Sequence, residues 1–191
     1  MAAKRQDAPS ELEHVRAFVN TLDLEAGKDS LVSAAALSAW LAEHGLASRG
    51  VRATGEDLVR AVALREALRE SLRANSGEGP APPGACRTLD EATRRARLHP
   101  RLLADGTSEM AVGARGVDGA LGRLLAIVHR SASEGTWPRL KACRLPSCGW
   151  AFYDHTKNRS GSWCTMAVCG NRAKSRAYRA RHQAAAPSRE L

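Results

Sequence analysis

The sequence predicts a mainly α fold with a small β-hairpin, in the α+β class: a helical N-terminal body followed by a small metal-stapled C-terminal module. Three observations carry that expectation. Apolar residues recur at three and four along most of the first 130 positions, one turn pair interrupts them, and four of the five cysteines fall late, in two close pairs. The chain has 191 residues, enough for one substantial core and a small appended unit, and its 43% hydrophobic content suits a globular protein. No apolar run reaches the length of a membrane span, so no membrane association is expected.

Residues 1–10 are polar and expected to be a frayed tail. From Glu11, the residues Leu12, Val15, Phe18, Val19 and Leu22 make one helical stripe. A second helix over Ser33–Glu43 would bury Leu37, Trp40 and Leu41 and stop at Gly45. The third starts at Thr54, which can form a capping box with Asp57, and shows Leu58, Val62, Leu68 and Leu72 to the core. His14 and His44 lie on these helices without ligand spacing, so they are expected to pack rather than bind metal. The stretch Ser76–Gly84, SGEGPAPPG, is a loop or linker. Cys86 opens a helix running to Arg95 and is expected as a half-buried small hydrophobe, with a redox-sensing thiol as the sharper alternative.

Leu98–Leu103 and Thr107–Val112 flank Asp105-Gly106, which predicts a hairpin with a two-residue loop, and Pro100 places its first strand at an edge. Val117, Leu121, Leu124, Leu125 and Val128 give a further helix, in which Gly119 and Gly122 would permit close packing. Thr136-Trp137-Pro138 breaks that helix and is expected to joint the body to the last module. The predicted division is a body over 11–136, with its hairpin near 98–112, a finger over 137–184 and a tail over 185–191. No catalytic signature is present, so an enzyme is not expected.

Cys143, Cys148, Cys164 and Cys169 have the spacing C-x4-C-x15-C-x4-C. Two close pairs joined by a loop suit one tetrahedral zinc ion, and four thiolates leave no open position, so the site would be structural. Two disulfides are the alternative; they need an oxidising compartment, and the start MAAKRQDAPS has no apolar signal segment. A cytoplasmic location follows as an expectation. The net charge is +9. Arg139 to His182 holds ten lysines or arginines and a single acid, Asp154, while the rest of the chain is balanced. The excess therefore sits on the metal module and would remain near +7 after the roughly −2 of a zinc tetrathiolate. A polyanion-binding face is the expectation.

After Cys169, GNRAKSRAYRARHQAAA predicts a helix with Asn171 as its N-cap. Ala173, Ala177, Ala180 and Ala184 would form a smooth face against the zinc hairpin. The other faces carry Arg172, Arg176 and Arg179, and Lys174, Tyr178 and Arg181. Arg172 stands in the first turn, where the helix dipole disfavours a cation, which suggests a phosphate or base edge outside. Knuckle, hairpin and terminal helix together suggest a treble-clef-like topology.

The stretch Cys143–His182 also resembles the CGNR-type zinc finger. The likeness is carried by Cys148, Trp150–Tyr153, Asp154, Lys157-Asn158-Arg159, Trp163-Cys164, Met166 and the signature Cys169-Gly170-Asn171-Arg172. The segments FVNTLDL, LSAWLAEHGL and ALREALRESLR are similar, more loosely, to the opening of an ABATE-type domain. That resemblance implies a bacterial, stress-induced transcription regulator with a DNA-binding finger and an N-terminal sensing or dimerising body. Lys157, Arg159 and Lys174 would then bind backbone, and Asn171, Arg172 and Arg176 base edges, with Arg179 and Arg181 completing the basic set. Duplex DNA in the nucleoid is the expected partner, a homodimer and a small-molecule effector are further possibilities, and an RNA- or ribosome-associated module or a protein adaptor are the alternatives. In the RNA version Trp150, Tyr153 and Tyr178 would stack on single-stranded bases.

Overall fold

The computed structural model describes residues 7–184. The tails expected at the two ends fall largely outside that range, at 1–6 and 185–191. Where the first tail is described it is tied down: Ala8 is buried and its amide donates to Glu13.

Helix α1 (Leu12–Val19) buries Leu12, Val15, Phe18 and Val19, the stripe read from the sequence. Leu22 leaves that stripe, because the chain turns at Asn20 into a hairpin of two-residue strands, β1 (Leu22–Asp23) and β2 (Lys28–Asp29). Strands this short have no readable period, and the sequence had not predicted them. Helix α2 (Ala34–Glu43) starts at Ser33, whose hydroxyl accepts from the Ala36 amide, and stops before Gly45 at φ +66°. Its buried residues are Leu37, Trp40 and Leu41, as expected.

Helix α3 (Gly55–Asn75) is the central element. Thr54 and Asp57 form the predicted capping box, each side chain bonding the other's amide. Its 21 residues span about 32 Å. They bury Ala61, Leu64, Ala67, Leu68 and Leu72, and with them two guanidinium groups, Arg65 and Arg69, each at most 2% exposed. The loop 76–82 leads into α4 (Pro83–Arg95), which packs back on α3, so Ser76–Gly84 is a connection inside the body. Cys86 on α4 is exposed, a correction: the α4 face turned to the core is Ala85, Leu89 and Ala92.

Strands β3 (Leu98–Leu102) and β4 (Ser108–Val112) pair antiparallel with Leu98 opposite Val112. Their loop is longer than the two residues predicted. The Leu103 amide donates to Thr107 and the Gly106 amide to Leu103, leaving three residues at the tip with Gly106 at φ +82°. Asp105 prefers to accept from the amide and hydroxyl of Thr107, an Asx turn, which draws Thr107 into the loop. Helix α5 (Gly116–Ser133) returns across the body. Both of its inner glycines are required: a Cβ on Gly122 would lie 2.6 Å from that of Ala96, and one on Gly119 2.5 Å from the Ala114 carbonyl.

The main apolar core draws on α1, α2, α3 and α5, and it does not end with them. A 3-10 turn (Trp137–Arg139) delivers β5 (Leu140–Ala142), which pairs with β6 (Ala151–Tyr153). Leu140, Ala142, Ala151 and Tyr153 all belong to that core. Cys143, Leu145, Cys148, Phe152, Cys164 and Cys169 form a second cluster, flanked by Trp150 and Trp163. A π turn (Met166–Gly170) then leads into the terminal helix α6 (Asn171–Ala184). The mainly helical body with small antiparallel pairs, ending in a cysteine-bearing finger, is the predicted α+β class.

Candidate metal centre and basic helix

Strand alternation divides the β5–β6 hairpin between two clusters. Leu140 faces Tyr153 and Ala142 faces Ala151 on the body side, while Lys141 faces Phe152 on the other. The body holds this hairpin with polar clips as well. Asn20 closes the free edge of β6, donating to the Ala151 carbonyl at 2.9 Å and accepting from its amide at 2.8 Å. Asn75 donates to the carbonyls of Trp137 and Leu140, and Ser76 to that of Ala142. Arg69 spans the Val19 and Gly149 carbonyls at 2.8 and 2.9 Å. These contacts make Thr136–Pro138 a fastened junction rather than a free joint.

The Cys143 amide extends the ladder to the Trp150 carbonyl, and the chain then turns through a knuckle in which Cys148 donates to Leu145. Gly149, at φ +53°, closes the knuckle; a Cβ there would meet Leu24 at 2.8 Å. Cys164 precedes the π turn and Cys169 lies within it, with Met166 and Trp163 lying against Gly170 where a Cβ would be. All four sulfurs are buried and lie within 4.8 Å of one another, with Cys148–Cys164 at 3.7 Å and Cys164–Cys169 at 3.6 Å. A tetrahedral zinc ion with Zn–S of ~2.3 Å spaces its sulfurs about 3.8 Å apart. The four cysteines therefore form a tetrahedral cluster that fits one structural zinc ion, and the disulfide alternative does not describe it: each cysteine is a free thiol.

The thiols behave as a donor set that wants a cation. Bonding from Cys148 and Cys164 holds the Cys143 thiol down to about 2. The same crowding pushes Cys164 up, and burial followed by the charge on Cys143 and Cys148 pushes Cys169 up to about 12. Four thiolates cannot share so small a volume alone, whereas a dication reverses the sign of each interaction.

Beside the cluster lies a buried ion pair the sequence had not disclosed. Lys141 Nζ donates to Asp154 Oδ2 at 2.8 Å, to the Arg159 carbonyl at 2.5 Å and to the Gly161 carbonyl at 3.1 Å. Asp154 also accepts from the amide and hydroxyl of Thr156 and the amide of Gly161. Burial works against its charge, yet Lys141 and these donors outweigh that and hold the carboxyl at about 2. The pattern Asp154-x-Thr156 repeats Asp105-x-Thr107, so the Asx turn had a signal; Lys141 as its partner had none. The network fixes the loop 154–161 and keeps Arg159 at φ +52°.

The predicted nucleic-acid residues are all on the surface. Lys157 and Arg159 stand on that loop, and Asn171, Arg172, Lys174, Arg176, Arg179 and Arg181 on α6, each exposed. They do not share one face. Asn171, Arg172, Arg176 and Arg179 line a shallow groove with Ala167, Val168 and Ser175. Lys174 and Arg181 are about half a turn away. Three local expectations are corrected. Asn171 is not an N-cap, because α6 continues out of the π turn; it is in helical conformation and its amide group donates to the Ala167 carbonyl. Of the alanines expected to pack on the hairpin, Ala173 is half-buried and Ala177 and Ala180 are exposed, since α6 leads away from the hairpin. Arg172 meets neither an empty surface nor solvent alone: its Nη1 donates to Glu25 at the tip of β1–β2. Two of the ten cations turn out to be structural, Lys141 as above and Arg139, which donates to the Asp154 and Thr156 carbonyls. Of the aromatics proposed for stacking, Tyr153 is core, Trp150 is half-buried beside the cysteines and Tyr178 is exposed.

Comparison with known families agrees with this layout. The model of the family described as CGNR zinc finger matches residues 139–182. That of ABATE, described as "Putative stress-induced transcription regulator", matches residues 14–134. No curated protein matches the chain. No helix among the described residues is long and apolar enough to cross a membrane.

Proposed function

Because this chain belongs to the ABATE family and ends in a CGNR zinc finger, we propose that it is a zinc-dependent, DNA-binding transcription regulator. The division of labour is a sensing or dimerising body over 11–136 and a finger over 137–184 that engages duplex DNA. The observation that carries this reading is α6: a helix with five cations and no acid over Asn171–Ala184, every one of those cations exposed, running directly out of the π turn that carries Cys169. Solubility alone does not call for so uniform a helix, whereas a polyphosphate partner does.

Cys143, Cys148, Cys164 and Cys169 would hold the zinc ion, whose role there would be structural: with Cys169 anchored, the π turn would set the direction of α6. Arg172, Arg176 and Arg179 form the leading face with Asn171, suited to guanine and adenine edges. Lys157, Arg159, Lys174 and Arg181 flank it and suit phosphates. One such helix covers little surface, so two copies joined through the body would supply useful specificity, and a cytoplasmic, nucleoid-bound protein is the setting this implies. The burial of Tyr153 favours duplex over single strands, because it removes one of the three stacking platforms. The body contains a cavity of about 920 Å³ between α1, α5 and the β3–β4 hairpin, lined among others by His14, His44, His129 and Arg123, where an effector could lodge.

The test is a salt titration of metal-loaded protein on duplex DNA, with single-stranded RNA as competitor at matched salt. Log affinity is expected to fall linearly with log salt, and duplex DNA to outcompete RNA. Binding that ignores salt, or a preference for the RNA, would overturn the reading.

A further inference from the structure

The β1–β2 hairpin touches the finger at two points, and the second lies on the proposed DNA face. Its base is fixed: Asp29 Oδ1 pairs with the buried Arg65 of α3 at 2.7 Å and accepts from the Leu31 amide. Its tip is fixed too, because Asp23 accepts from the amides of both Glu25 and Ala26 at 3.0 Å, and Gly27 completes the turn at φ +62°. Leu24 then rests on the knuckle at Gly149, and Glu25 accepts from Arg172. Hairpin and helix are 147 positions apart in the chain.

Arg172 is singled out by this contact. Among the described residues, Lys157, Arg159, Lys174, Arg176, Arg179 and Arg181 form no ion pair with a carboxylate, and Arg172 does. It also stands at the start of the groove that continues through Ser175, Arg176 and Arg179. The dipole of α6 disfavours a cation in this first turn, and a carboxylate from elsewhere in the chain offsets that in the free protein.

We propose that Glu25 is a built-in competitor for DNA: its carboxylate occupies the guanidinium that a phosphate or base edge would take, so the body regulates the finger through the β1–β2 hairpin. The proposal rests on the DNA-binding reading above. Binding DNA through Arg172 requires the Glu25 contact to open, and whatever draws the hairpin away from α6 raises DNA affinity. Reciprocally, bound DNA frees the hairpin tip. Because the hairpin is rooted on Arg65 in the core of α3, a rearrangement within the body has a short physical route to Arg172.

The experiment is a double-mutant cycle on the full, metal-loaded chain, using fluorescence anisotropy with duplex DNA at low salt. Both side chains are well exposed, and zinc content checks that each variant keeps the finger. Glu25→Gln is expected to tighten binding about two- to fivefold, the range an exposed pair of this kind can supply. In an Arg172→Gln background the same change is expected to do nothing. No tightening by Glu25→Gln, or equal tightening in both backgrounds, overturns the proposal, the second because Glu25 would then act only as a nearby negative charge. Arg176→Gln/Arg179→Gln separates the two levels: weaker binding here beside a silent Glu25→Gln removes the competitor and leaves the DNA reading intact. Absence of any salt-dependent binding by the unsubstituted chain removes both.

Discussion

The two halves of the finger are held by different forces. The β5–β6 hairpin is a piece of the body: Leu140, Ala142, Ala151 and Tyr153 lie in the main core, and Asn20, Arg69, Asn75 and Ser76 satisfy its backbone. Among the described residues, the Arg172–Glu25 ion pair is the one polar contact between the body and the π turn or α6; the π turn carries Cys169 into the cysteine cluster, and the cations of α6 are exposed. The metal therefore marks a border inside a single sequence motif. On one side, position is set by packing. On the other it is lent by four thiolates, and that is the side on which the cations of α6 stand.

Removing the metal is the largest perturbation available and the most direct way to break this comparison. Structural zinc contributes about 10–16 kcal/mol in isolated fingers at neutral pH, far more than any contact α6 makes. Chelation, or Cys164→Ser, is expected to abolish amide-exchange protection from 164 to 184 while β5, β6 and α3 keep theirs. From sequence alone, a module of about forty residues cannot bury a large core, so metal and aromatics would share the task and loss of one ligand would unfold all of it. Hydrogen exchange resolved by segment decides between the two. Equal loss in β5–β6 and α6 would mean the hairpin owes its place to zinc after all.

Next in size is the Lys141–Asp154 pair, which joins β5 to the loop carrying Lys157 and Arg159. Lys141→Met leaves a 1%-exposed carboxylate without its cation, and removal of one partner from a buried pair costs about 3–5 kcal/mol. Urea unfolding at neutral pH should show a loss of that order. The same carboxyl gives a pH signature. Its folded value of about 2 lies below the ordinary 3.8, so its contribution is complete above the ordinary value and is lost as pH falls from about 4 toward 2. A shift of that size corresponds to roughly 2–3 kcal/mol. Thiolates also protonate in acid, so the readout is the difference between the unsubstituted chain and Asp154→Asn: that variant should lose stability at pH 7 and show a shallower decline below pH 4.

A smaller effect tests the body's grip directly. Asn20→Ala removes two bonds from the edge of β6 and leaves the Ala151 amide and carbonyl unpaired, a cost of about 1–3 kcal/mol. It should lower the unfolding midpoint without changing zinc content. Zinc loss would show that hairpin and metal site are less separate than their packing indicates.

What could be foreseen follows the same border between local and non-local causes. The cap at Thr54, the core stripe of α1, the close packing at Gly119 and Gly122 and the four cysteines all express short-range rules, and each was legible. Arg65 and Arg69 were not, because two arginines four apart on a long helix look like a solvent face. Only the distant Asp29, Val19 and Gly149 make them interior. Lys141 counted toward the basic face for the same reason. The alanine stripe of α6 shows the converse error: a smooth helical face invites packing, but a partner must be within reach, and the π turn carries α6 away from the hairpin. Glu25 could be tied to Arg172 only once the fold had brought them together.

The smallest expected effect on stability falls on the residues proposed to matter most for binding. Arg176 is exposed, has no ion-pair partner among the described residues and lines the groove with Arg172 and Arg179. Arg176→Gln should therefore leave the urea midpoint within about 0.5 kcal/mol of the unsubstituted protein, as surface changes away from special features do. Its effect should appear in DNA binding, where the loss of a base-edge cation lowers affinity while changing the salt slope by less than the roughly 1 expected for a lost phosphate contact. Lys174→Gln, about half a turn away, is the paired measurement. If the Arg172–Arg176–Arg179 face leads into the groove, Lys174 contacts a flanking phosphate and its removal changes the slope while base preference stays. Arg176→Gln should in addition relax that preference at one position. Two variants with the same slope change and no difference in preference would reduce α6 to a cationic rod, held in place by zinc but reading nothing.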